Sequence, residues 1–358
     1  MRTLDFNYDL PSELIAQVPI DVRDQSRLLV LQRSNHSCSH RRFSDLPQLL
    51  LPSDVLVLND SRVIPARIFG LKPDTGGTIE MLLVEENALN DWWAMLRPGK
   101  RVRVGTVIEL QDRRHRRTGI TASVLKKNPE GQCRVQFSGT ESILGQLDKV
   151  GAVPLPPYIQ RDRAIEMRTD RVRYQTIYAR NCGSVAAPTA GLHFTNRLLE
   201  RIRRRGVTVC FVSLHVGLGT FSPVKADTLE HHHMHPERFE ISAETATLIN
   251  DARNAGRRIV AVGTTTVRVL ESVAAANEGR LVGFKGRTTL FIHPPYRFRI
   301  VDAMITNFHL PCSTLLMLVS AFASPGETSG RNLILSTYAN AIRERYRFYS
   351  YGDAMLIV

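Results

Sequence analysis

The chain has 358 residues and carries 47 Lys and Arg against 34 Asp and Glu, a net charge of +13 that suits a polyanionic partner, nucleic acid first. Its 43% hydrophobic and 23% charged residues exclude a disordered chain, and the longest apolar stretch, Leu315 to Ala323 around Ser320, falls short of the ~20 residues of a membrane span. Met1 to Phe6 lack the apolar core of a signal peptide, and five scattered cysteines without a CxxC pair predict reduced thiols in a cytoplasmic protein without a disulfide framework.

Short β-type runs bounded by turn residues occupy the first half beyond Ala66. They are Thr78–Val84, Arg101–Val104, Val107–Leu110, Ile120–Leu125 and Cys133–Phe137, separated by Gly76-Gly77, Pro98-Gly99 and Asn128–Gly131. Strands this short and this regularly spaced predict a small antiparallel barrel or sandwich. After the proline cluster Pro154–Pro157 the pattern alternates between helix and strand. Thr195 caps a predicted helix through Ile202 that stops at Gly206, and Val207–Val212 follows as a buried strand. Ser242 caps a second helix, to Gly256, before the strand Ile259–Val262. A third strand, Ile300–Thr306, leads into a helix capped by Ser313 or Thr314. The expected fold is a mixed, mainly parallel α/β main domain, residues 1–64 and 152–358, with an inserted antiparallel β-barrel over residues 65–151.

Ligands of open α/β sheets bind outside the carboxyl ends of the strands, and unusual loops sit there. Ser213–Pro223 places His215 beside Gly217 and Gly219. Gly263–Arg268 runs from a strand straight into a helix, and its glycine and hydroxyls suit an anion at the helix N-terminus. It is neither a phosphate-binding Walker loop nor a dinucleotide GxGxxG turn, and that absence disfavours a Rossmann methyltransferase. Asn307–Pro311 carries His309, and Ala186–Phe194 carries His193. The run His231–His235 invites a metal reading, but consecutive histidines cannot all face one ion, and no metal site is expected.

Basic residues gather in two places. Arg201 and Arg203–Arg205 end a helix and read as a solvated face. Arg101, Arg103, Arg113, Arg114, Arg116 and Arg117 lie in the barrel region near Trp92 and Trp93, together with Arg97 and Lys100, and read as a phosphate-contacting surface.

Several segments together resemble one family: Asn59–Arg67 (NDSRVIPAR), Val153–Ile159 (VPLPPYI), Ser184–Phe194 (SVAAPTAGLHF), His215–Phe221, Met234–Glu237, Gly263–Ser272 (GTTTVRVLES), Thr306–Ala323 (TNFHLPCSTLLMLVSAFA) and Tyr346–Ile357. The chain is similar from Leu4 to Ile357 to the S-adenosylmethionine:tRNA ribosyltransferase-isomerases of queuosine biosynthesis. It departs at His293-Pro294-Pro295-Tyr296, where the family often has Tyr-Pro-Gly-Tyr or Tyr-Pro-Gly-Phe.

The resemblance implies an α/β domain with a barrel insert, and a reaction in which S-adenosylmethionine is consumed as a substrate, with no metal or cofactor. Its ribosyl part passes to the aminomethyl group of a 7-deazaguanine at the tRNA wobble position. It becomes an epoxycyclopentanediol, giving epoxyqueuosine, adenine and methionine. A monomer without membrane attachment is expected.

Such chemistry needs a proton acceptor for the attacking amine and for the carbon beside the sulfonium, and a donor for departing adenine. Histidines suit these tasks, and the candidates are His193, His215, His235 and His309, with Glu237 and Asp353 as carboxylate partners. Substrate-binding candidates are Asn59, Arg62, Thr189, Gly191, Gly217, Gly219, Thr220 and Asn307, with the Gly263, Thr264, Thr265 turn and Arg268 for the methionine carboxylate or a tRNA phosphate. Phe194, Phe221 and Phe308 are candidates for stacking on adenine or the deazaguanine. Two other classes remain open: an RNA-binding protein without catalysis, and a histidine-cluster metalloenzyme.

Overall fold

The computed structural model describes residues 1–161, 168–217 and 224–358. The chain opens with β1 (Arg27–Leu31), β2 (Cys38–Arg42), the one-turn α1 (Leu46–Leu49), β3 (Val55–Asn59) and the short β4 (Ser61–Val63). A run of strands follows: β5 (Arg67–Leu71), β6 (Thr78–Ala88), β7 (Asp91–Arg97), β8 (Val107–Gln111), β9 (Arg117–Lys127) and β10 (Cys133–Ser138). Helix α2 (Ile143–Val150) and β11 (Gly151–Ala152) end this run, and α3 (Arg168–Arg173) and β12 (Asn181–Ser184) lead out of it. Then come α4 (Asn196–Arg204), β13 (Thr208–Leu214), β14 (Glu237–Ile241), α5 (Ala243–Asn254), β15 (Ile259–Val262) and α6 (Thr264–Ala276). The chain finishes with β16 (Phe284–Thr288), β17 (Ala303–Asn307), α7 (Thr314–Ala323), α8 (Gly330–Arg343) and β18 (Ala354–Ile357).

The main sheet has the order β16-β14-β13-β3-β15-β17-β18-β1-β2. Its centre, β13-β3-β15-β17, is parallel, and β3 and β15 are apolar at almost every position because both faces are covered. Alternate residues feed two cores. Val55, Val57 and Ala261 face one, with α5 to α8; Leu56, Leu58 and Val260 face the other, with α4, Phe43 and Phe194. The sheet is mixed, as expected: β14 and β16 on one flank and β18 and β2 toward the other pair antiparallel. The barrel is the circuit β5-β6-β7-β10-β9-β8, closed by the pairing of Gly70 with Leu110. No helix among the described residues is long and apolar enough to cross a membrane.

Thr195, Ser242 and Ser313 cap α4, α5 and α7 as expected, each hydroxyl accepting the backbone N–H three residues on. The expected strand Arg101–Val104 is not one; Gly99–Arg101 forms a single 3-10 turn, and β5 and β7 supply the barrel strands that were not anticipated. β17 begins at Ala303 rather than Ile300. The buried Glu271 carboxylate accepts the N–H groups of Arg299, Ile300 and Val301 at 2.8, 3.0 and 3.2 Å and holds that segment out of the sheet.

Candidate active site

The loops singled out in the sequence meet at the carboxyl ends of β15 and β17. Gly263 turns β15 into α6 with φ 86°, a conformation that favours glycine, and its N–H donates to Ile305 O at 2.8 Å. The first turn of α6 then presents Thr264 and Thr265 to a narrow cavity of about 30 Å³ also lined by Thr189, Thr306, Asn307 and His309. Asn59, at the end of β3, fixes this rim. Its amide donates to Thr265 Oγ1 and Leu214 O at 3.1 Å each, and its Oδ1 accepts from the N–H groups of Ser61 and Leu214.

Two buried histidines hang from β17. Asn307 Oδ1 accepts from Thr189 Oγ1 at 2.8 Å, and Asn307 Nδ2 donates to His193 Nε2 at 3.3 Å. That leaves the proton of neutral His193 on Nδ1, which donates to Ser26 Oγ at 2.8 Å. His309 Nε2 meets Thr306 Oγ1 at 2.7 Å, and its backbone is held by Tyr338 and Tyr8. Burial pushes both imidazoles down to about 3, with the Arg23 and Arg347 cations adding to the effect at His193. Both are neutral at physiological pH. The turn carrying His193 is close-packed: a Cβ on Gly191 would stand 2.1 Å from Tyr178 Oη.

Beside this cluster, and sharing Val216 with it, a cavity of about 480 Å³ opens between the barrel and the edge of the main sheet. His215 and Glu237 line it with Glu85, Arg238, Lys285 and Arg287. His215 Nδ1 is buried without a hydrogen-bond partner among the described residues. Its pKa is lowered by burial first and by the Arg238 cation second. Glu237 Oε1 accepts the N–H of Gly217 at 2.9 Å, while its Oε2 is ion-paired with Arg268 inside the protein. Arg238 Nε donates to Glu85 at 2.8 Å, and Arg287 pairs with the same carboxylate, fastening barrel strand β6 to β14 and β16.

Several expectations change on this geometry. Phe194 and Phe308 are fully buried, Phe194 against Phe43 and Phe308 among Tyr338, Tyr346 and Phe348, so neither has a face free for a base. Asp353 is not beside a histidine: its oxygens accept the N–H groups of Arg27 and Arg347 at 2.9 and 2.8 Å. Glu237 faces Arg268 rather than an imidazole, so the Arg268 charge is already balanced. His235 and Arg62 are exposed. Gly219, Thr220 and Phe221 lie outside the described residues. The barrel arginines Arg101, Arg103, Arg113, Arg114, Arg116 and Arg117 are all exposed. Arg116 and Arg117 pair with Asp112 and Glu109, and Arg113 Nε reaches Gly151 O at 3.2 Å. Sequence reasoning missed Ser26 and Thr306 as the groups that hold the two histidines. Thr306 stands three residues before His309 in a quoted motif; Ser26, distant in sequence, carried no signal.

The comparisons with known proteins agree with one another. The family model for queuosine biosynthesis protein matches residues 3–357. A crystal structure titled S-adenosylmethionine tRNA ribosyltransferase, from Thermotoga maritima, is 37% identical, with 99% of this chain and 100% of that chain covered and a TM-score of 0.54. The chain belongs to the queuosine biosynthesis protein family, the S-adenosylmethionine:tRNA ribosyltransferase-isomerases that its motifs resemble.

Proposed function

We propose that this enzyme transfers and isomerises the ribosyl part of S-adenosylmethionine onto 7-aminomethyl-7-deazaguanine at the wobble position of tRNA. The products are epoxyqueuosine in the tRNA, adenine and methionine, and S-adenosylmethionine is consumed without a metal or cofactor. The observation that carries this reading is the pair of buried neutral histidines, His193 and His309, joined to Thr306 and Asn307 beside the N-terminus of α6.

Each part has a task that its chemistry suits. The carbon next to a sulfonium is acidified by the positive sulfur, so a neutral imidazole accepts its proton even when burial has made it a weak base. Such an imidazole, once protonated, is the donor that departing adenine needs. The first N–H groups of α6 are free of intrahelical partners and suit the methionine carboxylate. With Arg268 already neutralised by Glu237, that carboxylate falls to the helix terminus and the Thr264 and Thr265 hydroxyls. His215, half-buried beside the larger cavity, is placed to meet the incoming nucleotide.

Incubation with S-adenosylmethionine and a tRNA bearing the aminomethyl-deazaguanine is expected to release adenine and methionine in equal amounts, and a tRNA with guanine at that position should release neither. Absence of adenine with the modified tRNA would overturn the reading.

A further inference from the structure

Cross-strand register puts a set of side chains on the outside of the barrel that its interior does not use. Arg67 pairs with Leu82, Leu82 with Met95, and Glu80 with Arg97, while their neighbours Met81, Leu83, Ala94 and Leu96 point inward and are buried. Met95 is 36% exposed. This outward face looks across a cavity of about 250 Å³ at the proline segment Pro154–Pro157.

The slot has apolar walls and a charged rim. Leu82, Met95 and the prolines line it, with Arg67 bonded to Glu80 at 2.7 Å. Arg97 is exposed and has no ion pair among the described residues. Beyond Arg97 the chain turns into the exposed Arg101 and Arg103, and at the other end Arg113 reaches Gly151, three residues before Pro154. The floor includes Ala186 and Gly217. Ala186 bridges Val216, and Val216 and Ala187 line the threonine and histidine cavity, so one short stretch of backbone separates the two spaces.

We infer that this slot holds an unpaired nucleobase of the tRNA loop adjacent to the reacting nucleotide, with Arg97 on its phosphate. The inference rests on the proposed tRNA reaction and adds a second base-binding position to it. An apolar cleft accepts any planar base on its faces, and the Arg97 cation at its rim suits a phosphate that flanks a splayed-out nucleotide. The alternative occupant, the adenine of S-adenosylmethionine, has no use for that row of arginines.

The test uses an anticodon stem-loop with 2-aminopurine on either side of the reacting position. The wild-type protein should raise the emission at one of the two as that base leaves the RNA stack. Met95→Glu, which puts a charge into the apolar wall, should abolish that change and weaken stem-loop binding on the order of 10-fold while leaving the melting temperature nearly unchanged. Arg97→Ala should weaken binding and reduce its salt dependence. The KM for S-adenosylmethionine and kcat at saturating RNA should stay within about twofold, as expected of a group that binds without reacting. Unchanged emission and affinity in Met95→Glu, or a raised KM for S-adenosylmethionine with an unchanged KM for RNA, would overturn the inference. Stem-loop binding and its emission change need no turnover, so a protein that bound the loop yet released no adenine would defeat the proposed reaction alone.

Discussion

The end of the main sheet and the surface of the barrel solve opposite problems with different kinds of polar residue. At the sheet end, polar groups are buried and bonded to one another: Thr189 to Asn307, Asn307 to His193, His193 to Ser26, Thr306 to His309. On the barrel, the polar groups are arginines in water, some loosely paired, as Arg117 is with Glu109 at 3.2 Å, and others, such as Arg103 and Arg114, without an ion pair among the described residues. Buried hydrogen bonds fix direction and protonation state and are costly to disturb. Exposed charges fix neither, but act over a Debye length and respond to salt. Under the proposed reaction that difference divides the work, with precisely placed atoms at the sheet end and charges that attract a polyanion on the barrel.

Two variants would break that separation if it is wrong. The largest effect is expected for His309→Ala, a loss of turnover on the order of 10²- to 10⁴-fold with tRNA affinity nearly unchanged, measured by adenine release and by direct binding. A matching loss of affinity would place the RNA on the sheet end instead. A smaller effect, opposite in kind, is expected for the double charge reversal Arg103→Glu with Arg114→Glu. Affinity should fall about 10-fold and the slope of log K against log salt should drop by about 0.7 to 0.9 for each phosphate contact removed. Turnover at saturating tRNA should hold. Unaltered salt dependence would remove the barrel from the RNA-binding surface.

How much of this was legible in the sequence follows the same division. Helix caps are local chemistry, and Thr195, Ser242 and Ser313 announced α4, α5 and α7 because a hydroxyl three residues ahead of an N–H is enough. The loops at the strand ends were legible too, since Gly263 and the histidines stand in short motifs. What a side chain faces was not. Phe194 and Phe308 look like stacking residues in their motifs, yet the layers on either side of the sheet bury both. Asp353 and Glu237 looked like partners for histidine, but one ties two backbone N–H groups and the other pairs with a cation a full helix turn inside α6. Such outcomes depend on contacts between separate segments, 31 residues apart for Glu237 and Arg268 and 326 for Asp353 and Arg27, to which periodicity is blind. β7 was missed for a related reason: in Asp91–Arg97 the apolar alternation is broken by outward-facing Trp93 and Met95, the residues that give the barrel its apolar outer face.

The finest test of the comparison is the proton itself. His193 has a folded-state pKa of about 3 against an ordinary value of 6.5. Between those values the unfolded chain binds a proton that the folded chain does not, so the free energy of unfolding rises with pH across that window. The contribution is complete above about pH 6.5 and is lost as pH falls toward 3, with a slope of at most about 1.4 kcal/mol per pH unit for one histidine. His193→Gln should therefore lose less stability than the wild type between about pH 7 and about pH 5 in urea titrations, since the carboxylates that also titrate are common to both proteins. Equal slopes would mean that the imidazole takes up its proton in the folded protein at the same pH as in the unfolded chain. The sheet end would then gain a positive charge on mild acidification, and its distinction from the charged barrel would be one of burial alone.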